Sequence, residues 1–279
     1  MMRMSLRRPR SASILADHFM QHPHNATPND EGDERICDRY NPPRKVPMRT
    51  VSARTLRLLN DGVCSPEGNM ARDLALLEAF ERGDIPPTLR VYQWALPALT
   101  YGVNQQLPPR LVQACQQLGI PMFRRPTGGK AVLHGHDLTL ALVWRPAATR
   151  LYPRQAYMQL APALIAAFQQ VGVPATQGDA PAPHPCSFED GGDCFATPAI
   201  ADITHANTGI KLMGCALLVR DTSVLMQASV PLRLPEVPVE MLFGHPHPEP
   251  PPLNAESLIQ AFYKSLSCWL GEAHLAHTV

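Results

Sequence analysis

The 279-residue chain lacks a run of apolar residues near the ~18 needed to cross a bilayer, which predicts a soluble protein. It lacks charge imbalance as well. With 25 Lys and Arg against 24 Asp and Glu, no net field favours nucleic acid or an anionic membrane surface. Cysteine is present seven times, an odd number without pairwise spacing and without a C-x-x-C, which excludes a disulfide framework and fits a reducing, cytoplasmic setting. Eleven histidines include His245-Pro246-His247, but with a proline between them and no Cys nearby in sequence this reads as a loop, and no metal is assigned.

What is present in excess is proline. Its 30 copies gather at the N-terminus, at 174–185 and at 231–252, which predicts loops there. Residues 1–55 show no helical or strand period and carry acids at Asp30, Glu31, Asp33 and Glu34. They are expected to be a disordered N-terminal extension. Its Arg- and Ser-rich start also fits a transit peptide, and Met48 fits a later start codon.

From there hydrophobic period gives an order of elements. Met70, Leu74, Leu77 and Phe80 mark a helix capped by Asn69 or Ser65 and ended at Gly83. Strands are expected at 89–94 and 98–101, and a short helix carries Leu111, Val112, Cys115 and Leu118. The unbroken apolar run 138–144 predicts a strand buried on both faces. A helix over 154–171, kinked at Pro162, should turn Tyr157, Leu160, Leu164, Phe168 and Val171 inward. A mobile loop is expected over 172–192, and a final helix should bury Leu258, Ile259, Phe262, Leu266, Trp269 and Leu270. Residues 56–279 thus read as one α+β domain, a mixed β-sheet with packed helices.

The chemistry concentrates in three segments. In Arg124-Arg125-Pro126-Thr127-Gly128-Gly129-Lys130-Ala131-Val132-Leu133-His134, two β-type stretches flank a Thr-Gly-Gly turn. Successive glycines let the backbone take positive φ and approach a ligand, and their N–H groups can face an anion; the plainer alternative is a hairpin turn. The second segment is Asp193-Cys194-Phe195-Ala196-Thr197-Pro198. The third, Gly209-Ile210-Lys211-Leu212-Met213-Gly214-Cys215-Ala216, has strand alternation with Lys211, Met213 and Cys215 on one face.

The first segment resembles the Arg-Arg-x-Thr-Gly-Gly-x-Ala-Val-x-His motif of the lipoate protein ligase and octanoyltransferase family. Met70-Ala71-Arg72-Asp73 and Leu89 to Trp94, followed by Pro97, Gly102 and Gln105, resemble the family's opening, so the likeness covers about 66–232. It implies a biotin/lipoate protein ligase-like catalytic domain without a separate accessory domain. It also implies that Arg125, Thr127, Gly128, Gly129, Lys130, Ala131 and His134 bind the acyl substrate.

Gly-x-Lys-x-x-Gly-Cys-Ala is similar to the family segment whose lysine touches the acyl carbonyl, and Cys-Phe-x-x-Pro is similar to the nucleophile segment of the cysteine-dependent octanoyltransferase branch. Lys211 would face a developing oxyanion and favour thiolate in a nearby cysteine. Taken alone, an early strand lysine is as readily a solvent-facing one. Cys215, four residues along a strand and so about 13 Å from Lys211, is expected to be a small buried residue, leaving Cys194 as nucleophile. Departures from the family pattern are Ala199, Leu217 and the run Gln227-Ala228-Ser229-Val230.

The resemblance implies octanoyl or lipoyl transfer from acyl carrier protein, through a cysteine thioester, to a lysine of a lipoyl domain or glycine-cleavage carrier protein. No cofactor is needed for that exchange. An ATP- and magnesium-dependent lipoate ligase is the second reading, and a non-catalytic module binding an acyl chain or carrier protein is the third.

Overall fold

The computed structural model describes residues 55–146, 151–178, 192–196 and 202–275. Nearly all of the expected N-terminal extension, and Thr197, Pro198 and Ala199 of the cysteine segment, lie outside the described residues. The chain runs β1 (Arg57–Cys64), α1 (Pro66–Glu81), β2 (Thr88–Trp94), β3 (Ala98–Tyr101), α2 (Pro109–Gln117), β4 (Met122–Arg124), β5 (Val132–His134) and β6 (Asp137–Trp144). It continues through α3 (Pro153–Gln170), β7 (Ala175–Gln177), β8 (Ile203–His205), β9 (Lys211–Val219), β10 (Val224–Pro231), α4 (Val239–Phe243) and α5 (Ala255–Leu275).

A seven-stranded sheet has the order β1-β2-β6-β10-β9-β8-β7, and a three-stranded sheet the order β4-β3-β5. The larger sheet is mixed: β1 and β2 pair in parallel, whereas β2–β6, β6–β10, β10–β9 and β9–β8 are antiparallel. Alternation along each strand feeds two cores. Val91, Leu138, Leu140 and Leu142 point to a core with Leu160, Leu164 and Phe168 of α3 and Leu258, Phe262 and Leu266 of α5. Tyr92, Trp94, Ala141 and Val143 point to the other face, against Leu76, Leu77 and Phe80 of α1. This explains why all eight residues of β6 are buried. Each fully buried Leu or Phe there contributes roughly 1.5–3 kcal/mol. A third core packs the small sheet against α2 and α4 through Leu99, Leu111, Leu133, Leu242 and Phe243.

Several expectations need correction. Of the two expected caps of helix α1 the structure has Ser65, whose Oγ accepts the Gly68 N–H at 3.2 Å; the helix starts at Pro66, and Asn69 lies inside it. Leu74 is 39% exposed, and the inward stripe is instead Asn69, Asp73, Leu76, Leu77 and Phe80. The two polar members meet Arg90 of β2. Its Nη1 donates to Asp73 Oδ1 at 2.6 Å, its Nη2 to Asn69 Oδ1 at 2.9 Å and its Nε to Asp61 Oδ2 at 2.7 Å, so a polar cluster replaces leucine at the centre of that interface.

The stretch before and after the Gly-Gly loop is not a hairpin. Strands β4 and β5 each pair with β3, the first in parallel and the second antiparallel, so β3 lies between them. Strand β1 was not expected at all. The loop after α3 contains the short strand β7, which pairs with β8, and the proline-rich stretch after Pro231 contains α4.

Candidate active site

The Gly-Gly loop is built around a buried cation. Arg125 Nη2 donates to the carbonyl oxygens of Gly128 at 2.7 Å and Lys130 at 2.6 Å, and Nη1 donates to Thr100 Oγ1 at 3.2 Å. The loop therefore turns carbonyls toward the guanidinium, and the expected row of inward N–H groups is not what organises it. Only one of the two glycines takes positive φ: Gly129, at +87°. The close approach falls to Gly102, where a Cβ would stand 2.7 Å from Gly128 C and 2.9 Å from Gly129 N, so two main chains touch.

From Thr100 a chain of hydrogen bonds runs on. Because Arg125 only donates, the Thr100 hydroxyl is free to donate to His134 Nε2, 2.9 Å away. His134 Nδ1 lies 2.8 Å from Asp137 Oδ2, which also accepts from Thr139 Oγ1 at 2.9 Å and Ser229 Oγ at 2.7 Å. Burial alone would raise the Asp137 carboxyl, but His134, His136 and Ser229 hold it well below the usual carboxylate range. The His134 ring stacks on Trp94 with centroids 4.1 Å apart and 18° between planes.

Loop residues 192–194 lie beside this wall. The Ala131 N–H donates to Gly192 O at 2.9 Å and the Cys194 N–H to Ala131 O at 2.8 Å, a short parallel bridge that fixes Cys194 against the Gly-Gly loop. From the other side comes Lys211 at the start of β9, 8% exposed. Its Nζ lies 2.9 Å from Cys194 O, 3.4 Å from Cys194 Sγ and 2.8 Å from Asp202 Oδ2, which occupies the three donors of an ammonium. Burial works to lower the Lys211 pKa, yet the Cys194 thiol and the Asp202 carboxylate outweigh it and the group is shifted upward, so it stays a cation.

These residues border a narrow cleft whose wall includes Met70, Tyr92, Trp94, Cys194, Cys215 and Ala228. Arg125, Gly129, His134 and Cys194 line it directly. Thr127, Gly128, Lys130 and Ala131 are brought to the same place but stand behind the wall as supports. Thr127 Oγ1 donates to Gln227 Oε1 at 2.9 Å, and Gln227 Nε2 donates to Asp73 Oδ2 at 2.7 Å. The loop is thereby tied to the Asp73–Arg90 cluster under α1. Lys211 lies beside the cleft, reaching it through Cys194.

Cys215 also borders the cleft, but burial, with Asp202 and Cys194 nearby, pushes its thiol far above the usual range even though Lys211 opposes this. It is a poor source of thiolate.

Sequence reasoning did not single out Thr100, Asp137, Thr139 or Asp202, and it named Trp94, Gln227 and Ser229 only within longer runs, without a role. Met70 to Asp73 and Leu89 to Trp94 did carry a signal, since a regular β2 made only of core residues would not contain Arg90. Gln227 and Ser229, both in the run that departs from the family pattern although Gln227 itself agrees with it, are buried and hydrogen-bonded.

Octanoyltransferase LipM of Moorella thermoacetica is 35% identical over 194 residues, 66% of this chain and 67% of that protein. Octanoyltransferase LipM of Anoxybacillus flavithermus is 32% identical over 205 residues, 68% of this chain and 70% of that protein. Among solved structures, protein Ta0514 of T. acidophilum with bound lipoic acid superposes with a TM-score of 0.60 at 20% identity, covering 77% of this chain and 86% of that one, which shows a common fold. The model of the lipoyl protein ligase A/B catalytic domain matches residues 65–239, a span that holds the Arg125 loop, Cys194 and Lys211 together, and the chain belongs to that family.

Proposed function

We propose that the protein is an octanoyltransferase, moving an octanoyl group from octanoyl-acyl carrier protein through Cys194 to a lysine of a lipoyl domain or glycine-cleavage carrier protein, in the cytoplasm. The observation that carries this reading is the contact of Lys211 Nζ with Cys194 Sγ, 3.4 Å, at the edge of a cleft walled by Met70, Tyr92, Trp94 and Ala228. The similarity to octanoyltransferases supports the acyl group and the acceptor.

The chemistry follows from the residues. Sγ attacks the thioester carbonyl carbon, and negative charge grows on the carbonyl oxygen. Lys211 can meet that charge by turning the one donor that faces Sγ toward the oxygen, while Asp202 and Cys194 O hold the other two. The carrier sulfur leaves with its electron pair and is protonated to a thiol, taking up through solvent the proton that the Cys194 thiol gave up. The neutral amine of the acceptor lysine then attacks the Cys194 thioester, the Cys194 sulfur leaves, and the amine proton passes to solvent. Trading one thioester for another costs little, and the amide is the more stable product, so ATP is not required.

Brief exposure to octanoyl-acyl carrier protein without ATP, then intact mass measurement, tests this. An adduct is expected in the wild type and in Cys215→Ser but not in Cys194→Ala. An adduct that persists in Cys194→Ala would reject the assignment. Release of AMP from ATP with free lipoate, and no adduct, would favour a ligase.

A further inference from the structure

Residues 245–250 follow the span matched by the family model, and their prolines and histidines read as a plain loop. They return to the residue before Cys194. Asp193 is fully buried. Its Oδ1 accepts the Phe195 N–H at 3.0 Å, closing a turn about Cys194, and its Oδ2 lies 2.7 Å from His247 Nε2. The His247 ring is itself held: it stacks on Phe243 of α4, with centroids 5.8 Å apart and 15° between planes, and tilts against Phe195 at 6.1 Å. Helix α4 is anchored in the third core by Val239, Leu242 and Phe243. Past His247, Pro248 and Pro250 help wall a recess that Phe195 and Lys211 also border.

Cys194 is therefore gripped from two sides, by Ala131 through main-chain bonds and by the 245–250 strap through Asp193. We infer that His247 is a positioning residue for the nucleophile. Through Asp193 it fixes the main chain at 193–195 so that Cys194 O and Cys194 Sγ meet Lys211 Nζ together. Both contacts depend on where that main chain lies, because Lys211 binds the carbonyl oxygen and the sulfur of one residue. His245 does not share this bond, since its Nε2 is 3.6 Å from the same carboxylate oxygen, beyond hydrogen-bond distance. Loss of the His247 donor leaves a buried carboxylate oxygen underbonded, and the turn shifts to find another partner.

This inference rests on Cys194 as the acyl-carrying residue, so its test includes a measurement that needs no acyl donor. In the full chain, Cys194 alkylation by iodoacetamide is timed by peptide mass, beside single-turnover acylation by octanoyl-acyl carrier protein and the KM for that donor. His247→Ala is expected to slow alkylation and acylation roughly tenfold to a hundredfold, the size expected for a misplaced reacting group, with KM little changed. Added imidazole, which can fill the space left by the ring, should restore much of the rate in His247→Ala and do nothing to the wild type. His247→Gln, which keeps an N–H donor, should retain the larger part of the rate.

Wild-type alkylation and acylation rates in His247→Ala would overturn the inference. So would a loss that follows the thermal midpoint and yields neither to imidazole nor to glutamine. A wild type that forms no acyl adduct at all would reject the transfer reading alone, and the alkylation rates would still decide the role of His247.

Discussion

Gly214 lies tight against Cys194: a Cβ at position 214 would stand 3.1 Å from the sulfur and 3.3 Å from Cζ of Phe195, so a side chain enters only if they move by a few tenths of an ångström. The glycine of the Gly-x-Lys-x-x-Gly segment is thus a clearance for the thiol. Lys211 and Gly214, both on β9, meet the same sulfur.

Gly214→Ala should fold, because its φ suits any residue and a few tenths of an ångström of movement relieve the contact. The movement pushes Sγ from its place beside Lys211, so acylation should slow by about tenfold. Rapid acylation of Gly214→Ala, equal to the wild type in a stopped single-turnover measurement, would show that the sulfur can step aside without loss.

Lys211→Met keeps much of the side-chain volume and removes the charge. It should cost about a hundredfold or more in transfer rate, the equivalent of ~3 kcal/mol at a developing oxyanion. Near-normal turnover would remove Lys211 from the mechanism. The stability that the Lys211 cation contributes has a defined sign in pH. Its folded pKa lies above the unfolded value, so the contribution is complete below about 10.4 and is lost as pH rises through the higher folded value.

Gly129→Val should impair acyl binding more than folding. The φ of +87° is strained for a β-branched residue, and its Cβ would approach Arg125 Nη2 to 3.1 Å, disturbing the cation around which the loop is folded. Binding of octanoyl-acyl carrier protein, followed by calorimetry, is the measurement. Unchanged affinity would reduce the loop to a turn.

His136 should make the domain sensitive to mild acid. Burial lowers its pKa to about 4, helped by His134, His247 and Arg233 and opposed by Asp137. An unfolded histidine titrates near 6.5, so between about 6.5 and 4 the unfolded chain binds the extra proton and stability falls as pH falls. The full effect is on the order of 3 kcal/mol at most. Denaturant midpoints measured from pH 7 to 4 should decline less in His136→Gln than in the wild type, and parallel curves would contradict this.

Much of this arrangement was legible in the sequence because it depends on local pattern. Helices α3 and α5 follow their apolar period, β6 follows an unbroken apolar run, and both Cys194 and Lys211 stand in short motifs that carry their meaning in spacing. Strand β1 gave little signal, since Arg57-Leu58-Leu59-Asn60-Asp61-Gly62-Val63-Cys64 mixes polar and apolar residues and is the edge strand of the sheet among the described residues. Leu74, inward by apolar spacing, lies outward because Asn69 and Asp73 take the buried stripe of α1. A period of apolar residues cannot report a buried polar face whose partner, Arg90, is on another element.

The sequence by itself determined which residues could carry acyl chemistry, because a thiol, an ammonium and a glycine turn are properties of residue type and spacing. The tertiary structure alone decided which of them meet. Pairing of β4 and β5 with the intervening β3, the bridge from Ala131 to the cysteine loop, and the return of His247 to Asp193 are contacts between residues far apart along the chain. Such contacts form where the buried groups find hydrogen-bond partners once the sheet has assembled, and no local period encodes where that will be.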